Sequence, residues 1–312
     1  MRVLITGASG SIGSEIVNQL ALYEEIICFD RNEEKVFYLE KEIKEKYPKS
    51  KVTICLGDIT NLSRLNQIFH KYKPEVVYHT AANKHVPLGE DNVHEFVHNN
   101  VFGTINLIHV AVKYCKTFVF ISTDKAVEPV SVMGYTKRLC EKYILGIKGQ
   151  YKTKFIICRF GNIVGSSGSV YELFEKQAKT GLIQLTHKHM ERYFISPQKA
   201  VSNLIKCSFL EEGLYTFDMG EPEKIYDIAN EFAIKYNADI GIIGLRPGEK
   251  ITEKLSYDYE ITERVDEDIF KISSLPSNRT IDIYLLVLNV NQMSKEEIVE
   301  QFKIINNERG YK

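Results

Sequence analysis

The stretch TGASGSIG, Thr6 to Gly13, decides how this chain folds. An apolar run, RVLIT (2–6), leads into it, and a segment with helical spacing, Ser14–Tyr23, follows. Gly7, Gly10 and Gly13 give the spacing G-x-x-G-x-x-G. Glycines there let the backbone turn tightly after a strand and approach a pyrophosphate, which then lies at a helix N-terminus. Glycine spacing alone is a weak signal, and it gains weight from its flanks: a strand before, a helix after, and an acidic residue closing the second strand. That residue is Asp30 in ICFDRN, 17 positions after Gly13. Its carboxylate suits a ribose 2′-hydroxyl and repels a 2′-phosphate, which favours NAD. Arg31, next to it, suits that phosphate and leaves NADP as the alternative.

The same alternation continues outward. EIICF (25–29), KVTIC (51–55), EVVYH (75–79), TFVFIS (117–122) and KFIICRF (154–160) read as buried strands, with helical spacing between them over 33–46 and 62–70. Continuous apolar strands alternating with helices imply a parallel sheet covered on both faces. The fold class is therefore α/β, a Rossmann-type doubly wound parallel sheet with a smaller mixed C-terminal lobe. Residues 1–165 form the dinucleotide-binding domain, with 194–220 returning to it through a further strand, GLYTFDMG (213–220). Residues 166–193 and 221–312 form the second lobe. Ser294 and Glu297 have capping-box spacing and start a last helix that runs to about Asn306.

Composition narrows the function classes. Of 312 residues, 44% are hydrophobic and 26% charged, and the net charge is −1, which argues against nucleic acid or an anionic membrane as partner. The six cysteines, Cys28, Cys55, Cys115, Cys140, Cys158 and Cys207, show neither C-x-x-C pairs nor metal spacing, as in a reduced cytoplasmic protein. His187 and His189 lack the further ligands a metal needs, so no metal is expected. No signal peptide and no apolar run near the ~20 residues of a membrane span are visible, so a free-standing catalytic unit is expected.

After the fifth strand comes STDKAVEPVSVMGYTK (122–137). Ligands of open parallel sheets bind at the carboxyl ends of strands, so Thr123, Asp124 and Lys125 lie where chemistry is expected. Four residues advance a helix by about 400°, which places Met133 and Lys137 on one face. Two residues advance it by about 200°, which turns Tyr135 away from Lys137 as a packing or interface residue.

The three-glycine spacing resembles the extended short-chain dehydrogenase/reductase superfamily, in which a Tyr-x-x-x-Lys pair follows a Ser or Thr. AANKHVPLGEDN (81–92), STDKAVEPVSVMGYTKR (122–138), RFGNIVGSSGSV (159–170), LTHKHMERYF (185–194), DMGEP (218–222) and GLRPGEK (244–250) resemble one branch of it. That branch is the nucleotide-sugar 4,6-dehydratases of the polysaccharide-biosynthesis type (capsule and flagellin glycans), which act on UDP-N-acetylglucosamine. Some of its members carry Met at the tyrosine position, as Met133 does here, and many of those also have an N-terminal membrane region.

The resemblance implies an NAD-dependent hydro-lyase giving a UDP-4-keto-6-deoxy-N-acetylhexosamine, working as a homo-oligomer, dimer or higher. Lys125 is implied as the base at C5, Asp124 as the acid at O6, and Thr123 as the partner of the C4 oxygen, with Met133 and Lys137 completing the catalytic set. The dinucleotide is implied to meet Gly7, Ser9, Gly10, Ser11, Ile12, Gly13, Asp30, Arg31, Asp58, Ile59, Ala81, Ala82, Lys84, Asn100 and Lys137. The nucleotide sugar is implied to meet Lys84, His85, Asn162, Ser169, Val170, Thr186, Arg192, Arg246 and Glu249. Arg159 reads as a structural anchor. A GDP-linked N-acetylglucosamine is the alternative substrate, sugar epimerisation the alternative reaction, and a non-catalytic NAD sensor the alternative class.

Overall fold

The computed structural model describes residues 1–166, 168–273 and 280–306. Seven strands form the parallel core: β1 (Arg2–Thr6), β2 (Glu25–Asp30), β3 (Lys51–Leu56), β4 (Val76–His79), β5 (Thr117–Ile121), β6 (Lys154–Arg159) and β7 (Gly213–Phe217). Their order is β7-β6-β5-β4-β1-β2-β3. β1 pairs with both β2 and β4, so the strand order reverses there and opens a crevice at the carboxyl ends. The period-2 geometry of a strand sends Leu4, Phe118, Phe120 and Ile157 into the core on one face, and Val3, Ile5, Val119 and Ile156 into the core on the other.

The first helix is Ser11–Leu20, three residues earlier than its apolar spacing suggests, because the glycine loop itself forms its first turn. A second lobe has its own core, in which Phe174, Ile183, Leu185, Ile228 and Ala229 pack between the helices Val170–Ala178 and Ile225–Tyr236. Its strand Leu182–Leu185 pairs in parallel with Asp239–Ile242.

The C-terminal part departs from expectation. Residues 261–273 and 280–306 do not join the core of the second lobe, and the rest of the expected 261–312 segment lies outside the described residues. Strands β8 (Ile261–Asp266) and β9 (Ile269–Ser273) form an antiparallel hairpin whose β9 pairs with β7 and extends the sheet to nine strands. β7 is buried along its length, and leaving its edge unpaired would strand polar backbone groups, so β9 covers it. Ile269 and Ile272 enter the two opposite cores. The helices Thr280–Asn289 and Lys295–Asn306 then return over the helix Val132–Ile147, burying Ile283, Leu286, Ile298 and Phe302. The capping box forms in both directions: Ser294 N–H donates to Glu297 at 2.7 Å and Glu297 N–H to the Ser294 hydroxyl at 3.2 Å. Among the described residues no helix is long and apolar enough to cross a membrane.

Candidate active site

The glycine loop fits a dinucleotide. Gly7 holds φ at +66°, and a Cβ on it would lie 2.8 Å from the Ala81 backbone. A Cβ on Gly13 would lie 2.2 Å from the Gly7 carbonyl oxygen, so only glycine lets the helix start this close to β1. Gly10 caps that helix without a side-chain bond, which leaves the positive helix end to an anion. Ser9 donates to Asp30 Oδ2 from its amide at 2.9 Å and from its hydroxyl at 2.8 Å, while Asn32 N–H donates to Oδ1 at 2.9 Å. A carboxylate has about four lone-pair positions, so one remains for a ribose hydroxyl.

Arg31 reaches away from Asp30. Its guanidinium donates to Asn83 at 3.0 Å, Asn99 at 3.3 Å and Asp58 at 3.4 Å. Burial alone would push the Asp58 carboxyl up, but the Thr60 amide and hydroxyl together with Arg31 outweigh it and hold the pKa below the usual range. Ile59 is buried, and the absence of a side chain at Gly103 makes room for it. Asn100 sits in a π-helical turn, Val97–Phe102. Its side chain clamps both backbone groups of Asn83, at 2.7 and 2.9 Å, and so shapes the loop holding Ala81, Ala82 and Lys84. Sequence reasoning missed His79, buried at the end of β4 between the hydroxyls of Thr6 (2.7 Å) and Thr104 (2.8 Å). Burial, with the nearby Lys137 charge, pushes it down to about 3, so it is neutral. A histidine closing an otherwise apolar strand was its only trace in the sequence.

Past β5 the chain makes one 3₁₀ turn, Asp124–Ala126, and this lets adjacent side chains meet. The Thr123 hydroxyl and Lys125 Nζ both donate to Asp124 Oδ1, at 2.8 and 2.9 Å, and Lys125 Nζ also donates to Asn162 Oδ1 at 3.1 Å. Asp124 is fully buried, and its Oδ2 has no hydrogen-bond partner among the described residues. A surface ion pair would have neither property. The helix Val132–Ile147 starts against this turn: a Cβ on Gly134 would fall 2.3 Å from the Lys125 carbonyl oxygen. Met133 is buried in the core on this helix. Lys137 donates to the Ile121 carbonyl at 2.8 Å, and its ammonium lies 4.6 Å from the Phe120 ring centroid. Burial lowers its pKa to about 8 against the opposing pull of Cys140 and Glu141. Tyr135 faces elsewhere, stacked on Phe302 with ring centroids 5.3 Å apart.

Behind the turn lies a buried charge network that sequence reading found only in part. Arg159 donates to Glu141 from Nε (3.0 Å) and Nη2 (2.8 Å), and from Nη1 to Glu260 at 2.8 Å. Arg138 donates to Glu141 at 3.1 Å, and so does the Ser122 hydroxyl at 2.5 Å. Ser122 directly precedes Thr123, so this network fixes the strand edge that carries Asp124 and Lys125.

Among the residues expected to meet a nucleotide sugar, burial lowers the pKa of both Lys84 and His85, the latter helped by the Lys84 charge. Lys84 Nζ reaches the Ser166 hydroxyl at 3.5 Å, and Gly168 packs over the His85 ring. Ser169 caps the helix that Val170 begins, and its hydroxyl accepts from the Glu172 amide at 3.4 Å. Thr186 is buried with its hydroxyl 3.5 Å from Met190 Sδ. Arg192 departs from its expected role. It is buried and donates to the carbonyls of Glu191 (2.7 Å), Ile251 (2.9 Å) and Lys250 (2.7 Å), which makes it an anchor for the 250–251 backbone rather than a free phosphate grip. Arg246 is half-buried on the adjoining loop, its amide donating to Glu249 at 3.1 Å.

The family described as polysaccharide biosynthesis protein matches residues 3–274. The capsular polysaccharide biosynthesis protein CapD of Staphylococcus aureus is 37% identical over 313 residues, covering 96% of this chain and 52% of its own length. The chain thus spans about half the length of that curated relative. The inverting UDP-N-acetylglucosamine 4,6-dehydratase of Campylobacter jejuni serotype O:2 is 32% identical over 279 residues, covering 83% of this chain and 80% of its own. Among solved structures, Pen from Bacillus thuringiensis matches with a TM-score of 0.81 and 30% identity, covering 94% of this chain and 98% of that one.

Proposed function

The chain belongs to the polysaccharide biosynthesis protein family, and from that premise we propose that it is an NAD-dependent 4,6-dehydratase of UDP-N-acetylglucosamine, serving bacterial surface or flagellar glycan synthesis. The observation that carries the reading is the buried Asp124, paired through one oxygen with Lys125 and Thr123 and, among the described residues, unpartnered at the other. Relatives whose names specify dehydration of this substrate support it.

Dehydration at C6 of a sugar is hard because H5 is not acidic until C4 is a ketone. Gly7, Gly10, Gly13 and Asp30 would hold a dinucleotide along the glycine loop, and when bound it would supply the hydride acceptor for C4 and the hydride donor for C6. Lys125, 2.9 Å from Asp124, removes H5 with its amine free of a proton at that moment and gives the proton back to C5 when hydride reaches C6, while Asp124 carries the C4 hydroxyl proton to O6. Asp124 Oδ2 protonates the leaving 6-hydroxyl, so water departs. Thr123 orients the C4 oxygen and relays its proton towards Asp124 at 2.8 Å, a route that needs no phenol. Met133 contributes shape. Lys137, positive and buried, favours the oxygens of the nicotinamide ribose. Arg246 and Lys84 place positive charge near the diphosphate.

The test is to mix purified protein with UDP-N-acetylglucosamine and follow the mass of the sugar nucleotide. A product lighter by one water is expected, and Lys125→Ala should abolish it while nucleotide-sugar binding stays nearly intact, since loss of a general base is worth ~10²–10⁴-fold. An isomer of unchanged mass would make the protein an epimerase. No reaction with the UDP sugar but turnover of a GDP-linked N-acetylglucosamine would move the specificity.

A further inference from the structure

The loop that carries the acid–base pair continues into Ala126-Val127-Glu128-Pro129, and its geometry is not self-sufficient. Glu128 holds φ at +45°, a left-handed conformation unfavourable for a residue with a Cβ and one that precedes a proline. Such a residue persists only where its surroundings over-determine it. Those surroundings come from one segment, 250–257. Lys250 Nζ donates to the Val127 carbonyl at 2.8 Å, and the Tyr257 hydroxyl donates to the Ala126 carbonyl at 3.2 Å. Lys254 pairs with the Glu128 carboxylate at 3.1 Å. Three consecutive residues of the loop therefore each receive one bond from this segment.

The amides of the same residues face the other way. Ala126 N–H donates to the Thr123 carbonyl at 3.1 Å, and Val127 N–H to the Asp124 carbonyl at 3.0 Å. The peptide unit whose N–H closes the turn on Asp124 carries the Ala126 carbonyl, so Tyr257 holds that unit from behind, and Lys250 holds the next unit through the Val127 carbonyl. The segment is itself fixed: Arg192 holds the carbonyls of Lys250 and Ile251, Arg159 holds that of Leu255 at 3.1 Å, and the Tyr257 ring lies 4.6 Å from the Arg138 guanidinium. Arg246 and Glu249 immediately precede it in the chain.

We propose that Lys250 and Tyr257 are positioning residues for the Asp124–Lys125 pair, tying its geometry to the segment that follows the nucleotide-sugar loop. The catalytic interpretation rests on the dehydratase reading; the mechanical one does not. Hydrogen–deuterium exchange and steady-state turnover of UDP-N-acetylglucosamine on Tyr257→Phe and Lys250→Met test the two apart. Tyr257→Phe keeps the ring under Arg138 and loses one hydrogen bond of ~1 kcal/mol, about fivefold in an equilibrium. Both variants should exchange faster over 123–131 with other peptides unchanged, and kcat should fall fivefold or more with KM within twofold and bound dinucleotide retained. Lys254→Ala, which removes the exposed one of the three bonds, should change both readouts least. Unchanged exchange over 123–131 in both Tyr257→Phe and Lys250→Met overturns the proposal, as does a fall confined to KM. A wild-type protein that turns over no nucleotide sugar overturns the dehydratase reading, while exchange still decides the positioning.

Discussion

Glu141→Gln is the sharpest test of how the site is held. Glu141 accepts from Arg159, Arg138 and Ser122, and all three charged side chains are 0–3% exposed. With Glu260 the cluster holds two guanidinium groups and two carboxylates, so its charge is balanced. Glutamine keeps the shape but removes one negative charge and aims an N–H₂ group at donors. Breaking a buried pair by removing one partner costs ~3–5 kcal/mol, because the remaining charge stays buried. At 2–4 °C per kcal/mol for a large chain, the thermal midpoint should fall by roughly 6–20 °C. Ser122→Ala deletes a donor and leaves the charges balanced, so it should cost only ~1.5 kcal/mol. Melting followed by circular dichroism at neutral pH compares the two.

Acid adds an independent signature. Burial pushes Glu141 up, but the Arg159 and Arg138 charges and the Ser122 hydroxyl outweigh it and hold the carboxyl at about 2 rather than 4.5. A folded-state pKa below the unfolded one contributes stability that is complete above about 4.5 and disappears as pH falls towards about 2. Wild type should therefore lose stability across that window, and Glu141→Gln should lose much less. A Glu141→Gln loss smaller than that of Ser122→Ala, or an unchanged acid slope, would refute charge balance as the source of the rigidity.

Three further outcomes are expected. Met133→Leu conserves volume and should cost under ~1.5 kcal/mol of stability, with turnover within about tenfold of wild type; Tyr135→Phe should matter as little, because its ring stacks on Phe302, and a collapse of turnover in Tyr135→Phe alone would make that phenol the acid–base group. Denatured protein should release NAD, since Ser9 and Asn32 leave Asp30 a position for a ribose hydroxyl; release of NADP alone would show that Arg31 governs the pocket. Lys137 should lose its proton as pH rises through about 8, so dinucleotide retained after dialysis should fall above that pH in wild type and be low and pH-independent in Lys137→Met.

Much of this was legible in the sequence because it is local. Strand alternation puts Phe118 and Val119 in opposite cores by the pleat alone. Of the two close approaches behind the glycine spacing, Gly13 to Gly7 is local, whereas Gly7 to Ala81 reaches a distant part of the chain. Helical arithmetic separated Tyr135 from Lys137, and the structure puts one against Phe302 and the other against Phe120. What tertiary structure decided involves partners far apart in the chain. Glu141 and Arg159 are 18 residues apart, and Arg159 and Glu260 are 101 apart. Read singly, each is a polar residue that belongs in water; only the topology that stacks β6 against the helix Val132–Ile147 and brings the 255–260 turn over both makes them a buried, neutral group. The hairpin of β8 and β9 was hidden for a related reason. ITERVD alternates charges because it is an exposed edge, and its place in the sheet is set by the open edge of β7, a demand that lies elsewhere in the chain. Residue spacing encodes which side chains share a face, but the partner each face meets depends on the path of the whole backbone, and charged groups reveal their partners only once that path has removed them from solvent.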